Sequence, residues 1–200
     1  MHGSPTARSL LGNSLNVRHE ILRSALLAPL LQDAATWADV GTGIGLPGLP
    51  LVVLCPGRGA VLIEPSRRSR TFLESAIREL DLEVELVPTS AEEAGRGVFR
   101  ETLDVVLGRA LAPFSVAAEL CAPLSRVGGK IVLTGAPQSQ PPNLGSRASA
   151  ALGLGAPVSR DLGPAAEVDI RQRVHIIPKV SPTSADYPRR LGVPRQRPLR

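Results

Sequence analysis

Apolar positions along the chain fall into two rhythms, and the change from one to the other marks out the elements. In residues 17–31 the apolar positions are Val17, Ile21, Leu22, Ala25, Leu26 and Leu30. That three-and-four spacing predicts an amphipathic helix covering one face of a sheet, with His19 and Arg23 on its polar side and His19 solvated or capping. Short apolar runs at 60–65, 84–88, 103–108 and 130–135 predict strands, and helical spacing returns at 67–80 and 115–124. Strands alternating with helices describe an open α/β sheet built from βα units. Past residue 135 the pattern weakens. Residues 136–143 (APQSQPPN) read as a mobile loop over the sheet edge, 146–154 as a short weak helix, and 168–180 as a last, antiparallel strand with His175 in a structural role.

The strongest local pattern is WADVGTGIGLPGLPLVVLC, residues 37–55, which reads as strand, tight turn and helix. Gly41, Gly43 and Gly45 let the turn take positive φ and let a ligand lie against bare backbone. The following helix would aim free N–H groups at that ligand. The spacing is GxGxG, and Leu46 stands where a dinucleotide-binding turn would carry its third glycine. Asp39, just before the glycines, places a carboxylate where a cation or amine could be held. That combination suits a positively charged nucleoside such as S-adenosylmethionine better than a pyrophosphate; a glycine-rich turn with no ligand is the alternative.

The later strand ends add to the picture. Glu64 closes the second strand about 20 residues after the turn, where Rossmann-like domains hold ribose hydroxyls. Ser90, Ala91 and Glu92 follow the third strand as candidates for the adenine, chiefly through backbone N–H groups. Arg109 ends the fourth strand at the edge where ligands bind in such sheets, which favours an anion or substrate contact.

Two hundred residues suit one such domain, and the formal net charge is +5. Arginine supplies nearly all the positive charge, since lysine occurs only at Lys130 and Lys179. A basic chain favours an acidic partner such as nucleic acid, although aromatic residues at 2% argue against a broad base-stacking platform. Candidate phosphate contacts are Arg67, Arg68 and Arg70 at the start of one helix, and Arg189, Arg190, Arg195 and Arg197 in the proline-rich segment 181–200. A solvated role is the alternative for both groups. The expected organisation is a flexible arm at 1–16, an α/β domain at 17–180 and an arginine- and proline-rich tail at 181–200. With no secretory signal and no apolar run long enough for a membrane span, a soluble cytoplasmic monomer is expected. Cys55 and Cys121 read as buried thiols, and no metal-ligand spacing is present.

These motifs together resemble the glucose-inhibited division protein B family, the RsmG-type 16S rRNA guanine N(7)-methyltransferases. The resemblance rests on DVGTGIGLPGLPL (39–51), LIEPSRRSRTFL (62–73), TSAEE (89–93), GRALAP (108–113) and YPRRLGVPRQRPL (187–199). It implies a Rossmann-like class I methyltransferase with a mostly parallel seven-stranded sheet in the order 3-2-1-4-5-7-6. It further implies S-adenosylmethionine as cofactor and 16S rRNA or the small ribosomal subunit as partner. In this family the glycine turn and the acid after the second strand hold the cofactor, while the arginine after the fourth strand lines the active site; here those positions are Asp39, Gly41, Gly43, Gly45, Glu64 and Arg109, with Leu46 in the turn and Arg109 itself also taken as candidate cofactor contacts. The sequence departs from the family at Thr134, where an LKG motif usually carries lysine, and in its shortened N-terminal extension. A small-molecule methyltransferase and a non-catalytic cofactor- or RNA-binding relative are the alternatives.

Overall fold

A computed structural model describes residues 17–136, 139–140, 144–164 and 170–199. The arm expected at 1–16, most of the loop expected at 136–143 and the start of the strand expected from 168 lie outside the described residues. In chain order the elements are α1 (Val17–Ala25), β1 (Thr36–Val40), α2 (Gly48–Leu54), β2 (Gly59–Ile63), α3 (Arg67–Glu79), β3 (Glu85–Val87), α4 (Ala91–Ala94), β4 (Leu103–Gly108), α5 (Phe114–Cys121), β5 (Ser125–Gly135), α6 (Gly145–Leu152), β6 (Val158–Leu162), β7 (Gln172–Pro178) and α7 (Val193–Gln196). The strands form one sheet in the order β3-β2-β1-β4-β5-β7-β6. β1 to β5 pair in parallel, while β7 runs antiparallel to both β5 and β6.

Side-chain alternation along the central strands explains why the sheet is covered on both faces. Ala38, Val40 and Val106 point to one side, into a core shared with Val116, Leu120 and Cys121 of α5. Trp37, Val105 and Leu107 point to the other, against Leu27, Leu31 and Leu51. The short apolar runs are thus strands buried from above and below.

The helix expected over 17–31 breaks in two. α1 ends at Ala25, and Ala28–Leu31 forms a separate 3-10 turn. Pro29, without an N–H, sits at the start of that turn and cannot donate into a continuing helix. α1 is also rotated from the expected orientation. Glu20 and Ser24 are its buried residues, whereas Val17 and Ile21 remain 47% and 45% exposed. The polar face turns inward, where Arg109, the residue after β4, pairs with Glu20. The segment 181–199 likewise departs from a solvated tail. Pro188 and Pro194 are buried, and Arg100 donates to the carbonyls of Thr183, Ser184 and Tyr187.

Candidate cofactor-binding site

The carboxyl ends of β1, β2 and β4 frame the site. The turn from Gly41 to Gly45 is closed by its own backbone, with the N–H groups of Gly45 and Leu46 donating to the Thr42 carbonyl. Two of its glycines serve different ends. A Cβ on Gly45 would lie 2.4 Å from Leu49 Cγ, so this position lets α2 pack closely. A Cβ on Gly43, where φ is +61°, would meet nothing within 4 Å, which leaves bare backbone open to a ligand.

Glu64 connects this open backbone to the second strand. Its Oε2 accepts from the Gly43 N–H at 2.8 Å and its Oε1 from the Ser66 N–H at 2.8 Å. A carboxylate has about four lone-pair sites, so acceptor capacity remains for ribose hydroxyls. Glu64 lines a cleft of about 450 Å³ together with Gly41, Ser90, Ala91, Glu92 and Leu111. Ser90 caps α4, and its side chain and backbone are engaged reciprocally with Glu93. Thr89 also donates to Glu93, and these donors hold the Glu93 carboxyl well down, at about 2. The cap stiffens the wall against which a nucleoside base would lie. The cleft volume, the open Gly43 backbone and the spare acceptors on Glu64 together fit an adenosyl group.

Asp39 does not offer its carboxylate to a cation. It is 1% exposed and braces the turn from below, Oδ2 accepting from Thr42 Oγ1 at 2.6 Å and from the Gly48 N–H at 2.9 Å. α2 begins only at Gly48, whose N–H is thereby spent, and the Leu49 N–H goes to the Gly45 carbonyl. The helix start is consumed by packing, and the turn itself is what presents backbone to a ligand.

Burial pushes the Asp39 carboxyl up to about 7, opposed by its two donors and assisted by the nearby Glu64 charge. The unfolded chain would lose that proton near 3.8. Between about pH 4 and 7 the folded state therefore holds more protons, and stability falls as pH rises through that window and levels off above it. Asp39→Asn keeps an acceptor for Thr42 and Gly48 and should remove this slope, raising stability at pH 8 by on the order of 4 kcal/mol relative to the parent. Denaturant titrations at pH 5 and pH 8 test this; parallel pH dependences in the two proteins would rule it out.

Arg109 does not line the cleft, although its neighbours Ala110 and Leu111 do. Ala110 has φ +49°, and the left-handed step turns successive side chains to different sides. The Arg109 guanidinium pairs with Glu20 and reaches Ser24 Oγ at 3.4 Å, and burial lowers its pKa. Nothing in the sequence singles out Glu20, because it falls on the polar side of the amphipathic pattern, where a solvated acid is ordinary.

The arginines expected to meet RNA divide into two groups. Arg67, Arg68, Arg190 and Arg197 are exposed. Arg70 instead closes over the end of β2, donating to the carbonyls of Glu64 and Pro65. Arg189 pairs with the buried Glu119, and Arg195 donates to the Leu111 carbonyl at 3.1 Å. Leu191, Gly192 and Arg195 unexpectedly line the cleft itself.

The two thiols differ in burial. Cys121 is buried, and that burial raises its pKa, while Cys55 is half-buried. No group of three or more ligating side chains suited to a metal ion occurs among the described residues. No helix among them is long and apolar enough to cross a membrane.

Comparison with known proteins bears on this site. The GidB family, described as rRNA small subunit methyltransferase G, matches residues 12–147. Ribosomal RNA small subunit methyltransferase G of Rubrobacter xylanophilus is 40% identical over 182 residues, covering 88% of this chain and 70% of that protein. The protein of the same name from Moorella thermoacetica is 36% identical over 187 residues, covering 91% and 78%. Among solved structures, magnesium protoporphyrin IX methyltransferase from Synechocystis PCC 6803 with bound SAM superposes with a TM-score of 0.57 at 14% identity, covering 86% of this chain and 89% of that one. That likeness speaks for the fold, while the sequence relatives and the family match, which spans more than half of the chain, carry the assignment. This chain belongs to the GidB family, rRNA small subunit methyltransferase G.

Proposed function

We infer that this chain is an S-adenosylmethionine-dependent methyltransferase of small-subunit (16S) rRNA, and that the atom it methylates is ring nitrogen 7 of a guanosine. The observation that supports the cofactor half is the bond from the Gly43 N–H to Glu64 Oε2, which ties the glycine turn to a carboxylate that lines the cleft beside Gly41 of the same turn. Family membership carries the substrate half.

When bound, S-adenosylmethionine supplies an electrophilic methyl group on a positively charged sulfur. Gly41, Gly43 and Glu64 would hold its ribose side, and Ser90, Ala91 and Glu92 would border the base. Asp39, Gly45 and Leu46 act beneath them by keeping the turn in shape. Nitrogen 7 of guanine carries an in-plane lone pair and attacks without prior deprotonation, so the protein need not supply a general base. Its contribution is alignment and exclusion of water. Arg109 and the loop it anchors would set where the guanine rests, and the exposed Arg67, Arg68, Arg190 and Arg197 would follow the phosphate backbone, whose neutralisation makes binding salt-dependent.

Transfer of a labelled methyl group to small ribosomal subunits, with the modified base mapped in 16S rRNA, tests this reading. The expected result is one labelled guanosine whose label marks nitrogen 7. Cofactor binding without label in either subunits or naked rRNA would overturn the substrate assignment and favour a small-molecule acceptor.

A further inference from the structure

The segment after residue 186 is built into the cofactor cleft, and the chain of contacts that puts it there begins at Glu119. This side chain of α5 is 0% exposed. Its carboxylate accepts from the Arg189 backbone N–H at 3.0 Å, from Nε at 2.8 Å and from Nη2 at 2.5 Å. A buried carboxylate is costly unless charge and hydrogen bonds compensate it, and here one residue supplies all three donors. Arg189 is therefore fixed, and Glu119 in turn raises its pKa. On the near side, Arg96 donates to the Pro188 carbonyl and Arg100 to that of Tyr187. On the far side, Gly192 takes φ +80° and gives its N–H to Glu92 Oε1 at 3.2 Å. Glu92 is 6% exposed and lines the cleft. Arg195 then closes the path by donating to the Leu111 carbonyl, on the loop between β4 and α5.

We propose that residues 187–197 form a wall of the S-adenosylmethionine site, in which Gly192 and Arg195 are cofactor-site residues and the Glu119–Arg189 pair positions them. Leu191, Gly192 and Arg195 share the cleft with Glu64 and Ser90, so the segment lines the same space as the carboxylate read as the ribose contact. Arg195 pins the loop that carries Arg109 and Leu111, which ties the far end of the chain to the place where methyl transfer occurs. Of the four arginines in this segment considered for RNA, Arg190 and Arg197 keep that role while Arg189 and Arg195 are assigned to the cofactor side. The proposal rests on the cofactor reading above.

Titration of the full chain with S-adenosylhomocysteine, alongside RNA binding measured over a range of salt, tests it. Arg195→Ala changes an exposed side chain and should leave the fold intact. It is expected to weaken S-adenosylhomocysteine about tenfold and to leave the slope of log RNA affinity against log salt unchanged. The converse result, unchanged S-adenosylhomocysteine affinity with a slope shallower by about 1, makes Arg195 a phosphate contact and overturns the proposal. Arg189→Ala should weaken S-adenosylhomocysteine by a similar factor, and Arg189→Lys, which can still donate to Glu119, should recover part of it. A melting temperature lowered equally in both variants, with unchanged affinity in the folded protein, would show Arg189 to be structural only and overturn its positioning role. If the parent protein itself binds no S-adenosylhomocysteine, the cofactor reading fails first and the wall with it.

Discussion

Gly43→Val is expected to weaken S-adenosylhomocysteine binding more than about 100-fold, roughly 2.7 kcal/mol, while the protein remains folded. Two effects add. Gly43 has φ +61°, a region that costs an L-residue about 1–2 kcal/mol and a β-branched one more. The valine side chain would also fill the open space beside the Gly43 N–H, 2.8 Å from Glu64 Oε2, displacing either the ligand or the carboxylate that reads it. Nothing within 4 Å of the new Cβ opposes it in the protein, so the damage falls on binding. Gly45→Val is the contrasting variant: its Cβ would lie 2.4 Å from Leu49 Cγ and 3.0 Å from Leu73 Cδ2, and it should lower the melting temperature as well. Calorimetric titration and thermal melts on both variants separate the two glycines. Near-parent affinity in Gly43→Val would remove the turn from the binding site.

The difference between these glycines shows where the sequence is legible and where it is not. The glycine turn and the place of Glu64 could be read because each depends on local periodicity and on spacing between neighbouring βα units, whereas the strand order came only with the family resemblance, since pairing between distant strands leaves no local pattern. The Asp39 carboxylate was visible but its direction was not. Whether it faces a ligand or the underside of the turn depends on Gly48, nine residues on, whose N–H it accepts. The helix at 17–31 was mispositioned for a similar reason. Periodicity put Val17 and Ile21 inside, and the requirement of Arg109, 89 positions beyond Glu20, put Glu20 and Ser24 there instead. The arginines after 181 were read by composition alone, and a solvated tail and a folded one share that composition. What separates them is Glu119, an acid in the middle of a buried helix. A charge at such a position predicts a partner without saying which.

Arg109→Ala is expected to lower kcat about 100-fold, as a small misplacement at a reacting centre can, while S-adenosylhomocysteine affinity changes less than about threefold. The sequence marked Arg109 both as the active-site arginine and as a neighbour of the cofactor; the geometry separates those roles. Its side chain is 17% exposed and its partner Glu20 8%, so the pair is mostly removed from water, and the cleft is lined by Ala110 and Leu111 instead. The guanidinium anchors the loop from one side while Arg195 holds the Leu111 carbonyl from the other. Truncating Arg109 leaves Glu20 buried without its cation, which should also cost about 3 kcal/mol of stability. Glu20→Gln removes that complication. In its background Arg109→Ala should no longer cost comparable stability yet should still lose turnover, since the loop has lost its anchor in both cases. Saturating-cofactor kinetics on small ribosomal subunits, with melts of the four proteins in the cycle, give the answer. If S-adenosylhomocysteine affinity falls in step with kcat, Arg109 holds the cofactor; if the stability loss persists in the Glu20→Gln background, the ion pair is not what fixes α1 against the loop.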